Sequence, residues 1–99
     1  MRPSRHGWAH GIPRKGRRDE TEPEIVAALE AVGCDVVKLS MPCDLLVGRG
    51  GVNYLLEVKS TPRSKLTPDE KRFADWWRGG TVRVVTTPEE ALRAVGLRL

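Results

Sequence analysis

The stretch 42–59 constrains the fold most, because it has the pattern of two apolar strands joined by a tight turn. The apolar runs Leu45–Val47 and Val52–Val58 flank the dipeptide Gly50-Gly51. Two consecutive glycines supply the positive φ angles that a two-residue hairpin turn needs. The sequence therefore predicts an antiparallel hairpin in the middle of the chain.

The predicted turn also determines which side chains meet at the open end of the hairpin. A turn at Gly50-Gly51 pairs Asp44 with Glu57, and directly opposed residues have Cβ atoms about 5 Å apart. Lys59 lies two positions beyond Glu57, so its side chain points to the same face of the strand. We therefore expect an aspartate, a glutamate and a lysine to cluster there.

Such a cluster suits a hard divalent cation, because two close carboxylates repel each other unless a positive charge compensates them. The alternative is an ordinary hairpin whose end carries a solvated Glu57–Lys59 pair. Judged on these residues alone, the two interpretations are equally supported. Leucine and valine on both faces of the strands favour a hairpin buried on both sides, where charged residues are more often functional.

The pattern of Asp44, a spacer and then Glu57-Val58-Lys59 resembles the signature of the PD-(D/E)XK nucleases. In particular, the chain resembles small stand-alone VRR-NUC and phage Holliday-junction-resolvase-like nucleases, over roughly residues 17–96. The later run Leu66-Thr67-Pro68-Asp69 is also similar to that group. One departure is that Cys43 separates the proline from the aspartate, which it directly precedes in the family.

This resemblance implies an α/β fold of order αβββαβα, a restriction-endonuclease-like core with a mixed sheet between helices. It implies an endonuclease that hydrolyses DNA phosphodiester bonds with Mg²⁺ or Mn²⁺. Its expected substrate is branched DNA, such as a four-way junction, and its expected active form is a homodimer. Asp44, Glu57 and the Val58 carbonyl would bind the metal, and Lys59 would position the attacking water or stabilise the transition state. No nucleotide cofactor is expected.

The resemblance also implies an acidic ligand from the first helix. Glu20, Glu22 and Glu24 are the candidates. Glu24 fits a Thr-x-x-Glu capping box with Thr21, and Glu20 precedes the cap. The resemblance places the catalytic and metal-binding glutamate best on Glu22, with Glu24 second, and the spacing to the apolar stripe and to Gly33 supports this placement.

The same Thr-x-x-Glu pattern occurs three times and predicts three helix starts, at Thr21, Thr67 and Thr87. The helices are expected over 21–33, 68–78 and 88–95, and short strands over 34–39 and 81–86. In the second helix we expect Phe73 and Trp77 to face the core and Trp76 to be peripheral. Glu70 is assigned to the helix cap and excluded from the metal site. The crossover through this helix favours parallel pairing of the last two strands.

Composition limits the remaining possibilities. Ninety-nine residues allow one domain with a modest core, expected at 19–99. No apolar run is long enough to span a membrane, the N-terminus does not resemble a secretory signal, and the two cysteines are expected as free thiols of a cytoplasmic protein.

The net charge of +4 fits a polyanionic partner such as DNA. Residues 1–18 are predicted to form a flexible basic arm, and Arg49 is expected to be a surface charge. The candidate DNA-contacting residues are Arg14, Lys15, Arg17, Arg18, Arg63 and Lys65. The competing hypothesis is a non-catalytic nucleic-acid-binding module with the same fold.

Overall fold

The computed structural model describes residues 20–99, which form helices and strands in the order α-β-β-β-α-β-α. The elements are α1 Glu22–Ala31, β1 Asp35–Lys38, β2 Leu45–Arg49, β3 Val52–Val58, α2 Pro68–Trp76, β4 Val82–Val85 and α3 Pro88–Ala94. The predicted order of elements is confirmed. The predicted arm at 1–18, with Arg14, Lys15, Arg17 and Arg18, lies outside the described residues. Within residues 20–99, no helix has the length and apolar character needed to cross a membrane.

The strands form one mixed sheet in the order β1-β2-β3-β4. Strands β1, β2 and β3 pair antiparallel, whereas β3 and β4 pair parallel, as the crossover predicted. In the hairpin, Leu46 pairs with Leu55 and Gly48 with Asn53. Gly50 and Gly51 have φ angles of 58° and 80°, so the turn has the conformation that only glycine adopts readily. The register predicted from the two glycines is confirmed.

The core lies on one face of the sheet, beneath α1 and α3. Because side chains alternate along a strand, the same face receives every second residue of β2 and β3. The cluster consists of Ile25, Leu29, Cys34, Val36, Leu45, Val47, Leu56, Val58, Val85, Ala91 and Val95. The opposite face is only partly covered: Leu46 and Leu55 are half-buried and Val84 is exposed. The expectation of a hairpin buried on both sides is therefore wrong for most of its length.

Two of the three expected helix caps form. At α2, the Thr67 hydroxyl accepts a hydrogen bond from the Glu70 amide, and the Glu70 carboxylate accepts one from the Thr67 amide at 2.8 Å. This is the complete capping box. At α3, the Thr87 hydroxyl accepts from the Glu90 amide, but the Glu90 carboxylate accepts from the amide and hydroxyl of Thr86 instead. The bonds from backbone amides satisfy donors that have no hydrogen-bond partner within the helix at its start.

The capping box predicted at Thr21 is wrong. Thr21 has φ −77° and ψ −13°, which is a helical conformation, and its side chain makes no cap hydrogen bond. A capping residue needs an extended backbone to turn its hydroxyl toward the amides of the first turn. Pro23 also removes one of those amides. Glu24 is therefore an exposed residue of the first turn without the predicted partner.

The expectation that Phe73 and Trp77 face the core is wrong, whereas the expected peripheral position of Trp76 is confirmed. No residue of this helix is buried: Phe73 is half-buried, and Trp77 and Trp76 are 43% and 69% exposed. The rings instead pack on one another, with Phe73 stacked on Trp77 at a centroid distance of 5.1 Å. The sequence predicted the spacing of the apolar stripe, but the core lies between α1, α3 and the other face of the sheet, so the stripe does not join it.

Arg49 is also misassigned by sequence as a surface charge. Its Nη1 donates a hydrogen bond to the Val95 carbonyl at 3.0 Å. Val95 is the C-terminal cap of α3, where unsatisfied carbonyls and the helix dipole favour a cation. Arg49 therefore ties the hairpin turn to the last helix.

Candidate active site

Asp44 and Glu57 are held opposite each other at the open end of the hairpin. Asp44 lies directly before β2, beyond the last paired residues Leu45 and Leu56, and its amide donates to the Leu56 carbonyl at 3.1 Å. The Asp44 Oδ2 accepts a hydrogen bond from the Val58 amide at 2.7 Å. Each of the two acidic residues is 1% exposed. The two carboxyl groups are thus close together and buried, although Asp44 and Glu57 are not a pair in the strand register.

Lys59 completes the predicted cluster. Its Nζ lies 3.5 Å from Glu57 Oε2 and 3.0 Å from Glu70 Oε1. Its backbone amide donates to the Val85 carbonyl, which fixes the end of β3 against β4. The ammonium group therefore bridges the carboxyl group of the hairpin and the carboxylate that caps α2.

The protonation states of this cluster follow from burial and from its charges. Burial and the neighbouring Asp44 and Glu70 carboxyl groups raise the pKa of Glu57 to about 9. Burial acts against ionisation of Glu70 too, but hydrogen bonds with Glu57, the Thr67 amide and Lys59 lower the pKa of Glu70 to about 2. Near neutral pH, Glu57 therefore keeps its proton while Glu70 is the anion paired with Lys59.

The sequence interpretation missed the role of Glu70. It was assigned to the helix cap alone, and that cap is real, yet the same Oε1 atom also accepts from Lys59. The loop between β3 and α2 brings the two together although they lie far apart in sequence. The available signal in the sequence was the pattern Thr67-x-x-Glu70, because it fixes the position of the Glu70 carboxylate at the helix start.

Cys43, which the sequence analysis noted as the residue between Pro42 and Asp44, is a further buried neighbour of the site. It is 3% exposed, and its Sγ lies 3.7 Å from the Leu45 carbonyl, to which the thiol donates. Burial and the proximity of Glu57 and Asp44 raise the pKa of the Cys43 thiol to about 12. Its position directly before Asp44 was the available signal. The thiol is therefore neutral and adds no negative charge to the site.

Glu22 does not complete a three-carboxylate group with Asp44 and Glu57. Across residues 20–99, no three His, Cys, Asp or Glu side chains are arranged to hold one metal ion. The reason lies in the alternation of side chains along the strands. Helix α1 packs on the face that carries Leu45 and Leu56, whereas the cluster lies on the other face. Glu22 is buried in the first turn of α1.

Of the predicted DNA-contacting residues, two lie in the described part of the chain. Arg63 and Lys65 are exposed on the loop between β3 and α2. This loop begins directly after Lys59, so both cations are on the same side of the molecule as the end of β3. Their exposure leaves them accessible to phosphate groups.

Comparisons of the chain with protein-family models, with curated proteins and with solved structures find no match in any of the three. Interpretation of the site therefore depends on its chemistry.

Proposed function

We propose that the protein is a divalent-metal-dependent endonuclease that hydrolyses DNA phosphodiester bonds. The observation that carries the proposal is the pair of buried carboxyl groups, Asp44 and Glu57, with the Lys59 ammonium beside them. Burying two acids against each other is unfavourable and is more common at functional sites than in structural cores. The mixed sheet and the order αβββαβα support a restriction-endonuclease-like assignment.

The residues present fit a divalent cation such as Mg²⁺ or Mn²⁺. Glu57 Oε2 is buried and has no hydrogen-bond partner among residues 20–99, and the pKa of Glu57 is raised to about 9 by burial and by Asp44. A cation would compensate the negative charge that the site disfavours. Mg²⁺ is commonly held by one or two carboxylates, with waters and substrate phosphate as its other ligands, so two acids suffice. Asp44, Glu57 and the Val58 carbonyl would hold it.

When bound, the cation would polarise the phosphate and lower the pKa of water at the site. The side chains of the site would hold the cation, the attacking water and the phosphate group in place. Asp44 is oriented by the Val58 amide, and Glu57 must release its proton to act as an anionic ligand. Lys59 is placed to hold the attacking water or to stabilise negative charge that develops on the phosphate. Glu70 keeps Lys59 protonated and oriented, and any role of Glu22 is indirect, through water.

Branched DNA, such as a four-way junction, is the substrate class we propose. Resolving a junction requires cutting two strands, and each chain offers one such site. The active form would then be a homodimer that presents two sites related by two-fold symmetry.

One observation favours a second candidate, a non-catalytic nucleic-acid-binding module. Lys59 is held by Glu70 in a 3.0 Å ion pair that also supports a helix cap, which gives the lysine a purely structural role. In that case the acidic cluster would stabilise the fold, and the exposed cations would bind DNA.

Cleavage and metal binding distinguish the two candidates. We expect labelled junction DNA to be cut in Mg²⁺ or Mn²⁺ but not in EDTA, and only poorly in Ca²⁺. Mg²⁺ should also raise the melting temperature, because it binds the folded state alone. Asp44→Asn should abolish both effects, whereas Asp69→Asn, at an exposed residue of α2, should abolish neither. Full activity of the protein in EDTA would refute the metal mechanism.

A further inference from the structure

An exposed aromatic cluster lies on α2, the helix that contacts the candidate active site. We define the α2 aromatic cluster as Phe73, Trp76 and Trp77. Trp76 is 69% exposed, with its ring centroid 6.3 Å from Phe73 and 6.1 Å from Trp77. A large apolar ring exposed to this extent on a small protein calls for an explanation, because it contributes nothing to the core.

The three rings of the cluster contact one another although the cluster is exposed. Phe73 stacks on Trp77 at 5.1 Å and an interplanar angle of 23°. Trp77 also lies against Gly79, where a Cβ atom would come 2.5 Å from Trp77 Nε1. Trp76 packs at a tilt against both neighbouring rings and is the most exposed of the three.

The position of the cluster relates it to the active site. Glu70, which binds Lys59, lies on the same helix as Trp76. Six residues at 1.5 Å each separate them by about 9 Å along the helix axis. That axial rise is roughly two to three base steps of 3.4 Å along a nucleic-acid strand, and the two residues are about 120° apart around the helix. A strand bound at Asp44 and Glu57 that continued along α2 would bring a base near Trp76.

We propose that Trp76, supported by Phe73 and Trp77, stacks on an unpaired base of DNA bound at the Asp44–Glu57 site. The inference rests on the proposed function for its choice of DNA and adds a selection for unpaired bases. Bases inside a duplex have both faces stacked, whereas the bases at a branch point or in a single strand expose a face to an aromatic ring.

The charges around the cluster favour nucleic acid over a second protein copy. The cations Lys71, Arg72 and Arg78 lie on or just beyond α2, and Arg63 and Lys65 are exposed on the loop that leads into it. From Arg63 to Arg78, these five cations outnumber the three acidic residues Asp69, Glu70 and Asp75. The centres of protein–protein interfaces are depleted of charged residues, whereas grooves for single strands combine cations with aromatic rings.

The test compares binding of single-stranded dT oligonucleotides with binding of a blunt duplex of the same length, in EDTA to prevent cleavage. Trp76→Ala should weaken binding of the single strand at least 5-fold, the lower end of what base stacking contributes, and leave duplex binding within 2-fold. Trp76→Phe should retain most of the affinity. Val52→Ala, which removes an exposed apolar side chain at the far end of the hairpin, should change neither.

Equal losses on both DNA forms, or no loss, would overturn the stacking proposal. So would sedimentation showing that Trp76→Ala converts a dimer into a monomer, because the ring would then contact a second copy. The proposed nuclease activity is tested by separate outcomes. If the wild type binds single strands through Trp76 but cuts no DNA in Mg²⁺, the stacking proposal holds and the nuclease proposal is rejected. If Trp76→Ala still cleaves DNA and binds it as the wild type does, the nuclease proposal holds and the stacking proposal is rejected.

Discussion

At the scale of single residues, the burial of Glu57 is unfavourable. It is 1% exposed, lies near the Asp44 carboxyl group, and within residues 20–99 is ion-paired only with Lys59. A carboxyl group whose pKa is raised on folding stabilises the folded state only while it stays protonated. Without a metal, this residue therefore makes stability depend on pH in a direction opposite to that of most acids.

We expect Glu57→Gln to stabilise the metal-free protein increasingly as pH rises. The pKa of Glu57 is about 9 in the folded state, against an ordinary value of 4.5, so wild-type stability from this group is complete below pH 4.5 and falls as pH rises toward 9. The glutamine side chain does not ionise, so it adds no such pH dependence to the free energy of unfolding. Denaturant unfolding in EDTA at pH 5 and pH 8.5 measures the difference.

Asp75→Asn, at an exposed residue of α2, serves as the matched control and should show no comparable trend with pH. A difference between Glu57→Gln and wild type that stays constant with pH would contradict the assigned protonation state. The pKa of Glu70 is lowered to about 2, so its contribution is lost only as pH falls from about 4.5 toward 2, below this window.

Lys59→Met should separate catalysis from binding. The variant removes the positive charge beside Glu57 but leaves the exposed cations of the following loop in place. Loss of one group that stabilises charge in a transition state lowers turnover about 10²–10³-fold. We expect such a loss in single-turnover cleavage, with DNA affinity in EDTA within about 2-fold of wild type. Lys65→Met is the control, and cleavage at the wild-type rate by Lys59→Met would refute its role.

Much of the site could be predicted at this scale, since register and alternation alone placed Asp44, Glu57 and Lys59 together. Glu70 was assigned only its cap, because its contact with Lys59 depends on the path of a loop. Whether Glu22 reaches the site likewise depends on which sheet face α1 covers. Neither the loop path nor the choice of face is encoded in a local pattern.

At the scale of elements, three helix starts with the same four-residue pattern behave differently. The hydroxyls of Thr67 and Thr87 accept hydrogen bonds from backbone amides, whereas Thr21 Oγ1 is buried without a hydrogen-bond partner among residues 20–99. The pattern predicts where a helix begins more reliably than whether the cap forms. The cap depends on the backbone angles of one residue, which the preceding chain also determines.

We therefore expect opposite results from substitutions at two equivalent positions. Thr87→Val should destabilise the protein by about 1 kcal/mol, because it removes the cap of a helix that contributes Ala91 to the core. Thr21→Val should be neutral or stabilising, because it replaces a buried, unsatisfied hydroxyl with a methyl group. Urea unfolding of both variants measures the two changes. Equal destabilisation by both would show that Thr21 caps α1 in solution.

The second helix shows why an amphipathic pattern need not mean burial. Phe73 and Trp77 have the spacing of a core-facing stripe, yet they pack on each other at the surface. Periodicity predicts that apolar side chains share a face but not what that face contacts. The partner is a property of the whole fold, and here the core lies between one sheet face and the helices α1 and α3.

At the scale of the whole molecule, the core consists of residues between Ile25 and Val95. Within residues 20–99 it is built from one sheet face and the helices α1 and α3. Six basic residues, and no acidic ones, precede Asp19. Because a basic segment favours a polyanionic partner, we expect these residues to contribute to DNA affinity.

Deleting residues 1–16 should leave the melting temperature unchanged but weaken DNA binding. The deletion removes Arg2, Arg5, Arg14 and Lys15. Each lost phosphate contact reduces the steepness of a plot of log affinity against log salt by about 0.9 on duplex DNA. Binding isotherms at several salt concentrations, in an Asp44→Ala background that prevents cutting, test this. An unchanged slope would exclude phosphate contacts, and a large fall in melting temperature would show that the segment stabilises the fold.

The Gly50-Gly51 turn has a consequence for how the sequence can vary. Exposed turns far from an active site are normally where insertions and deletions are tolerated. In a strand, however, a shift of one position moves every side chain to the opposite face. A single residue added at this turn could therefore separate Asp44 from Glu57 without altering either. The length of this turn should be far less variable over evolution than its distance from the carboxyl groups suggests.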